Sequence, residues 1–266
     1  MFAQLKHVAI QSDIADGLHR FYADLFGMES FRGEGSGAVT DGNIGMSFTH
    51  RSPGRQAGLD HFGFDVEDME VVRGRLEKSF PTVELLQRPP TRTYATFGSH
   101  DPDGNIFDVS TTIEANRRGV YADASRPRHQ RRIHHLSLRT MHPADVAKYY
   151  MDVYELQWAR EPDDGPTYHL TDGTTHFMIT QWRINDFEGG GIARPALDHI
   201  GFEVESLEAF KSDLEALIAE HPEAAPQAWT KADERAARLG LLERCPHGQY
   251  QLWDPNGVLL DVFESR

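Results

Sequence analysis

Two nearly identical eight-residue stretches constrain this chain more than any other feature. Residues 59–66 are LDHFGFDV and residues 197–204 are LDHIGFEV, so one structural unit occurs at least twice. Because the side chains of a strand alternate between its two faces, His199, Gly201 and Glu203 are predicted to share one face, and the apolar residues between them the other. Each stretch therefore predicts a strand with one packing face and one face that carries an imidazole and a carboxylate.

Composition excludes several classes of protein. The chain has 266 residues and 39% hydrophobic residues, enough for two domains. Its net charge of -14 argues against binding to nucleic acid or anionic membranes. No apolar run reaches the roughly 18 residues of a membrane span, and the first residues lack the apolar core of a secretion signal, which predicts a cytoplasmic protein. Cys245 is the single cysteine, so any metal must be held by His, Asp or Glu.

The surrounding elements are predicted to form four βαβββ units in two pairs. Each unit starts with an alternating strand, continues into an amphipathic helix, and ends in short strands joined by tight turns. The predicted fold is α+β, with two cup-shaped domains at residues 1–113 and 132–266 and an arginine-rich linker at 114–131. Two longer segments distinguish the second domain: a glycine-rich loop at 181–195, interpreted as a flap, and an insertion at 230–246.

Each pair of units begins with a histidine, restarts with Asp-His-x-Gly-x-acid and closes with Asp-Pro-x-Gly-x-x-x-Asp. This pattern resembles the vicinal oxygen chelate superfamily, which includes glyoxalases, bleomycin-resistance proteins and type I extradiol dioxygenases. The resemblance covers nearly the whole chain, and the four-unit arrangement is similar to that of the dioxygenases. It implies that each pair of units curls into a cup whose metal ligands come from three strands.

The resemblance also implies two sets of metal ligands, of which the second is less favoured: His135, His199 and Asp261, then His7, His61 and Asp108. Two imidazoles and one carboxylate leave coordination positions open, as non-haem Fe(II) requires, so Fe(II) is the expected metal, with Mn(II) and Zn(II) as alternatives. Relatives usually have Glu at the two Asp positions, and because Asp is shorter by one methylene, either the last strand must lie closer or a water must intervene. The ligand atoms are predicted to lie about 3 Å apart. The alternative is that these residues are structural and hold no metal.

Further candidates surround the C-terminal set. His247 and Tyr250 precede the final hairpin, and His176 lies within a predicted strand and could face the cup. The resemblance implies that a histidine and a tyrosine before that hairpin handle substrate protons, and a neutral imidazole such as that of His176 could also accept one near neutral pH. Arg139 shares a strand face with His135 and is a candidate partner for an anionic substrate group. For each of these residues, the alternative is a packing or surface role.

The expected function is a metal-dependent extradiol-type dioxygenase that chelates a catechol-like substrate through vicinal oxygens and opens the ring with dioxygen. Two alternatives remain: a metal-free protein that binds an aromatic or antibiotic ligand, and a glyoxalase-like lyase or isomerase. The expected partners are a small aromatic molecule and dioxygen, without nucleic acid or membrane, and the pattern is compatible with a homo-oligomer. We expect the C-terminal cup to be the active one, because its longer loop and insertion could exclude water.

Overall fold

The computed structural model describes residues 1–33, 36–89, 95–111, 130–161, 167–190, 194–228, 236, 239–240 and 247–265. The first half begins with β1 (Ala3–Ser12), α1 (Ala15–Arg20) continued by a π-helical turn (Phe21–Leu25), β2 (Glu29–Gly33), β3 (Ser36–Thr40) and β4 (Gly45–His50). Its second unit contains β5 (Gly58–Val66), α2 (Met69–Ser79), β6 (Leu85–Gln87), β7 (Phe97–His100) and β8 (Ile106–Thr111). Within the described residues these strands form one sheet in the order β2-β3-β4-β1-β5-β8-β7-β6.

The second half has a similar arrangement, with one additional helix and, in the described residues, no counterpart of β6. Its first unit contains β9 (Arg132–Thr140), α3 (Pro143–Tyr154), β10 (Gln157–Trp158), β11 (Thr167–Thr171) and β12 (His176–Gln181), followed by α4 (Ile184–Gly190). Its last unit contains β13 (Ala196–Val204), α5 (Leu207–Glu220), a short 3-10 turn (Pro222–Ala224), β14 (Tyr250–Trp253) and β15 (Leu259–Glu264). The order β10-β11-β12-β9-β13-β15-β14 describes the sheet that these strands form in the part of the chain described.

The predicted α+β fold with two pairs of units is therefore confirmed. The sequence prediction missed the strands β10 and β11 and the helix α4, which lies in the segment interpreted as a flap. The linker at 114–131 lies almost entirely, and the insertion at 230–246 mostly, outside the described residues. The proposed domain boundary thus stays a prediction, although the two sheets end at Thr111 and begin at Arg132.

Two irregularities interrupt the pairing of β9 with β13, and both lie beside the expected metal ligands. Gly201 pairs with His135 and Phe202 with Ile133, so the register skips His134. At the other end, Leu197 and His199 pair with consecutive residues, so the register skips Asp198. A bulge of this kind brings a residue and its sequence neighbour toward one side of the sheet, which strict alternation does not predict.

One continuous hydrophobic core connects the two halves. Phe26, at the end of the first helical segment, lies 4.1 Å from Phe202 of the second sheet between ring centroids. In the reciprocal contact, Tyr154 of α3 stacks on Phe64 of the first sheet at 4.7 Å. The helices are thus buried against the apolar faces of both sheets, and the opposite, ligand-bearing faces are left for the cups. None of the helices in the described ranges is long and apolar enough to cross a bilayer.

Turn aspartates join the halves in matched pairs. In the two Asp-Pro-x-Gly turns, Asp254 accepts a hydrogen bond from the Tyr22 hydroxyl at 2.9 Å, and Asp101 accepts one from the Tyr150 hydroxyl at 3.1 Å. Burial raises the pKa of Asp254 to about 7, despite hydrogen bonds from backbone amides and Tyr22. These exchanges fix the closing hairpin of each half against the first helix of the other half, and so fix the strands that carry Asp108 and Asp261.

Candidate metal centre

Three side chains converge in the C-terminal cup, and we call His135, His199 and Asp261 the C-terminal ligand cluster. They come from β9, β13 and β15. The Nε2 atoms of the two histidines lie 3.3 Å apart, and His135 Nε2 lies 3.6 Å from Asp261 Oδ2. All three residues are buried, and one ligand atom from each lies within 4.8 Å of the others. The shorter side chain of Asp261 therefore reaches the two histidines.

The carboxylate of this cluster is not satisfied by the protein alone. Gln251 donates to Asp261 Oδ1 at 3.2 Å, but Oδ2 is buried and accepts no hydrogen bond from the described residues. A buried carboxylate oxygen without a donor is costly unless a cation is near it. Oδ2 also lies 3.6 Å from Nε2 of His135, and His199 brings a second imidazole to the cluster. This donor set fits a divalent cation.

A buried charge network orients His199. Its Nδ1 lies 2.9 Å from the carboxylate of Asp198, which leaves Nε2 directed at His135. Asp198 is held in turn by Arg139 at 3.2 Å, and Arg139 also contacts Asp186 of α4 at 3.3 Å. A carboxylate behind a ligating histidine fixes its tautomer and increases its basicity. The candidate role of Arg139 in substrate binding is thus not supported, since both of its carboxylate contacts are internal.

His135 depends on the glycine of the repeated motif. A Cβ atom at Gly201 would lie 1.9 Å from Cε1 of His135, so any other residue there would displace the ring. Burial, reinforced by the neighbouring imidazoles, lowers the pKa of His135 well below its ordinary value. On its other side, Nδ1 of His135 lies 3.2 Å from Nδ1 of His134, within hydrogen-bonding distance. The bulge at His134 makes this second contact available.

The N-terminal ligand cluster, His7, His61 and Asp108, also brings its ligand atoms within 4.8 Å of one another. Here, however, both ring nitrogens of His61 contact carboxylates: Asp60 at 2.7 Å and Asp108 at 3.2 Å. Burial opposes protonation of His61, but the bonds with Asp108 and Asp60 outweigh it and raise the pKa to about 9. Arg88 Nη2 lies 2.5 Å from the other oxygen of Asp108. A guanidinium and an imidazole thus already serve the carboxylate of this cup.

A third group lies beside the C-terminal ligand cluster, and we call His134, His176 and His247 the three-histidine cluster. One ligand nitrogen from each lies within 4.8 Å of the others, and all three residues are partly buried. The ring centroids of His135 and His247 are 5.5 Å apart, so this cluster borders the metal candidates. Burial, with the charges of neighbouring side chains, lowers the pKa of His134 to about 3 and also lowers that of His176.

The three residues that the sequence suggested for proton transfer do not all lie at the ligand cluster. The structure brings His176 and His247 together near the ligand cluster, whereas it places Tyr250 elsewhere. Tyr250 pairs with Val262, which is the neighbour of Asp261 and lies on the opposite face of β15. Its ring packs toward Phe210, and Lys211 Nζ lies 4.5 Å from the ring centroid. The residue opposite Asp261 is Gln251.

Sequence reasoning missed four residues of this site. They surround the C-terminal ligand cluster without belonging to it: His134, Asp186, Asp198 and Gln251. One signal was present for Asp198, because an aspartate precedes the histidine in both copies of the repeated stretch. No periodicity indicates the others, because their positions depend on a bulge, a helix and a hairpin register.

The described residues have the fold of solved glyoxalase and dioxygenase structures, which agrees with the sequence resemblance. Among solved structures, the Mn(II)-bound glyoxalase from Novosphingobium aromaticivorans matches with a TM-score of 0.63 and 14% identity, over 99% of this chain and 82% of that one. The 2,3-dioxygenase LapB from Pseudomonas sp. KL28 matches with a TM-score of 0.62 and 14% identity, over 98% and 92%.

A third match is the 2,2',3-trihydroxybiphenyl 1,2-dioxygenase from Sphingomonas wittichii, with a TM-score of 0.59, 14% identity, and coverage of 100% of this chain and 91% of that one. No protein-family model and no curated protein sequence matches the chain. At this identity the similarity shows the fold, so the chemistry has to be argued from the residues of the site.

Proposed function

We propose that the chain is a metal-dependent, extradiol-type dioxygenase that cleaves a catechol-like aromatic substrate in its C-terminal cup. The observation that carries the proposal is the buried Oδ2 oxygen of Asp261, which accepts no hydrogen bond from the described residues and lies 3.6 Å from Nε2 of His135. His135, His199 and Asp261 would hold the metal. Fe(II) is the proposed ion, because two imidazoles and one carboxylate leave open coordination positions. Bound there, it would supply the redox chemistry that joins an aromatic diol and dioxygen.

The protein groups around the cluster have separate tasks. Asp198 holds the tautomer of His199, and Arg139 holds Asp198. His176 and His247 border the cup, and a neutral imidazole there can accept a proton from a phenolic hydroxyl as the substrate binds. Either residue can later return the proton to the ring-opened product. Phe263 lies against His247 and supplies an apolar surface for an aromatic ring.

The asymmetry between the cups supports placing the reaction in the C-terminal one. In the N-terminal cup, Arg88 and His61 already serve the carboxylate of Asp108. A metal there would have to displace a guanidinium from a mostly buried ion pair, which is unfavourable. In the C-terminal cup, the side chain among the described residues that donates a hydrogen bond to Asp261 is the neutral amide of Gln251. The N-terminal cup is therefore proposed to have a structural role.

The second candidate function also requires the metal but does not use dioxygen. Because the Mn(II)-bound glyoxalase has the same fold, a lyase or isomerase that stabilises an enediolate between two oxygens is the specific alternative. The two functions differ in whether dioxygen is consumed, so oxygen uptake separates them.

The test compares His199→Ala with His61→Ala, since these residues occupy matching positions in the two copies of the motif. Protein purified without chelator and reconstituted with Fe(II) is assayed for bound metal and for oxygen uptake with a panel of catechols. We expect His199→Ala to lose both, because it removes a ligand, and His61→Ala to keep most of both. Equal loss from the two variants would refute the asymmetry, and unchanged metal in His199→Ala would refute the metal centre. Bound metal without oxygen uptake would favour the lyase.

A further inference from the structure

The three-histidine cluster is built from three separate elements that meet at one point. His134 comes from the bulge in β9, His176 is the first residue of β12, and His247 precedes β14. The ring centroid of His134 lies 4.4 Å from those of His176 and of His247, and the latter two are 5.8 Å apart. One nitrogen from each ring lies within 4.8 Å of the others. Small ring rotations would bring these nitrogens to one ion.

The surroundings hold these rings in place and moderate the local charge. Phe263 contacts His134 edge-on at 4.8 Å and lies 4.9 Å from His247, so two of the three rings pack against one side chain. The nearby cation, Arg132, is ion-paired with Glu203. All three histidines are partly buried rather than enclosed, which leaves a path for an ion and for a water ligand.

The fold itself does not require these histidines. The first half has the same skipped position in the pairing of β1 with β5, and there the residue is Lys6, whose ammonium group donates to Asn43. At the register position of His176, which pairs with His135, the first half has Gly45, which pairs with His7. Two of the three imidazoles are thus additions specific to the half with the proposed active site.

We infer that the three-histidine cluster is a second divalent-metal site, suited to Zn²⁺ and similar ions, whose occupation inhibits the reaction in the adjacent cup. Three neutral imidazoles with a fourth position left to water form a common zinc site, and imidazole favours this class of metal over Mg²⁺ or Ca²⁺. Metal binding is independent of the proposed function, whereas inhibition rests on it.

Inhibition follows because a metal ion and a substrate proton would bind the same nitrogen lone pair. The nitrogen of His176 or His247 that would accept a substrate proton uses the same lone pair to bind a metal, so it cannot do both. The ion would also add positive charge behind His135, since Nδ1 of His134 lies 3.2 Å from Nδ1 of His135. Both effects oppose proton uptake by the cup.

The experiment titrates the Fe(II)-loaded protein with Zn²⁺ and measures bound zinc after equilibrium dialysis. It compares the wild type with His176→Gln, His247→Gln and the control His142→Gln, an exposed histidine outside the cluster that bonds Asp103. We expect the wild type and the control to bind one more equivalent of zinc than either cluster variant. Equal zinc in all four proteins would overturn the inference.

A measurement on the wild type alone covers the case in which a variant does not fold. Co²⁺ with three imidazoles and one water is four-coordinate and absorbs visible light strongly, whereas a site with more ligands absorbs weakly. An intense band on adding Co²⁺ to the Fe(II)-loaded protein would support the second site, and its absence would overturn it. Retained iron in His199→Ala would instead count against the proposed function, so the two failures are distinguishable.

Discussion

Asp198→Asn tests whether the carboxylate behind His199 controls metal affinity. The substitution keeps the size of the side chain but removes its charge. Asp198 is 2% exposed, lies 2.9 Å from Nδ1 of His199 and 3.2 Å from Arg139, so water cannot replace the lost interaction. Loss of such a partner typically reduces metal affinity about 10- to 100-fold, or about 1.4 to 2.8 kcal/mol.

The N-terminal counterpart provides a matched control. Asp60 contacts His61 at 2.7 Å in the same way, but its side chain is 16% exposed and the cup beside it has Arg88 at its carboxylate. Asp60→Asn should therefore leave the metal affinity of the protein unchanged. Asp198→Asn should remain folded, because Arg139 keeps its contact with Asp186.

The assay is competition with a chromophoric chelator, which gives the dissociation constant of the metal, with circular dichroism to check folding. A folded Asp198→Asn protein with wild-type affinity would refute the proposed orientation of His199. If Asp60→Asn lost as much metal affinity as Asp198→Asn, the proposal that the metal binds in the C-terminal cup alone would be refuted.

Three further predictions follow from the described contacts. Arg88→Met removes the cation beside Asp108, so the N-terminal cup should gain divalent-metal binding, visible as additional bound metal by elemental analysis; unchanged metal would contradict this. Phe202→Ala leaves a cavity opposite Phe26 and should lower the free energy of unfolding by about 3 to 5 kcal/mol in urea titrations; a loss below 1 kcal/mol would show that the helix–sheet contact matters little. Because the pKa of Asp254 is raised to about 7, its contribution to stability is complete below its unfolded value near 4 and is lost as the pH rises through 7. The stability of the wild type minus that of Asp254→Asn should therefore fall over this interval by up to about 4 kcal/mol, and a flat difference would refute the shift.

The sequence predicted the fold well where hydrophobic alternation and turn chemistry agree. Strands β5 and β13 coincide closely with the repeated stretches, and α5 begins where Ser206 caps it. The prediction missed β10, which has two residues and so no usable periodicity. It missed α4 as well, because three glycines near its end indicated a loop.

The ligand cluster was predictable, but its surroundings were not. The resemblance selects His135, His199 and Asp261, because each lies at a place in the repeated units where the family has a ligand. Strict alternation then places Asp198 on the face opposite His199, whereas the skipped register brings the two side chains together. Bulges depend on the pairing of two strands that are distant in sequence, so one strand alone does not reveal them.

Because the unit is duplicated, the two cups can be compared: they have the same candidate ligands but different neighbouring residues. Both cups contain two histidines and one aspartate at matching positions, so the motif alone cannot distinguish them. The difference lies opposite the aspartate. Gly98 faces Asp108, and a Cβ atom there would lie 2.8 Å from Arg88 Nε, so the missing side chain is what lets Arg88 reach the carboxylate. In the second half the residue opposite Asp261 is Gln251, which donates one neutral hydrogen bond to the other carboxylate oxygen. The residue opposite the aspartate, Gly98 in one half and Gln251 in the other, thus contributes to whether the carboxylate pairs with an arginine or remains available to a metal.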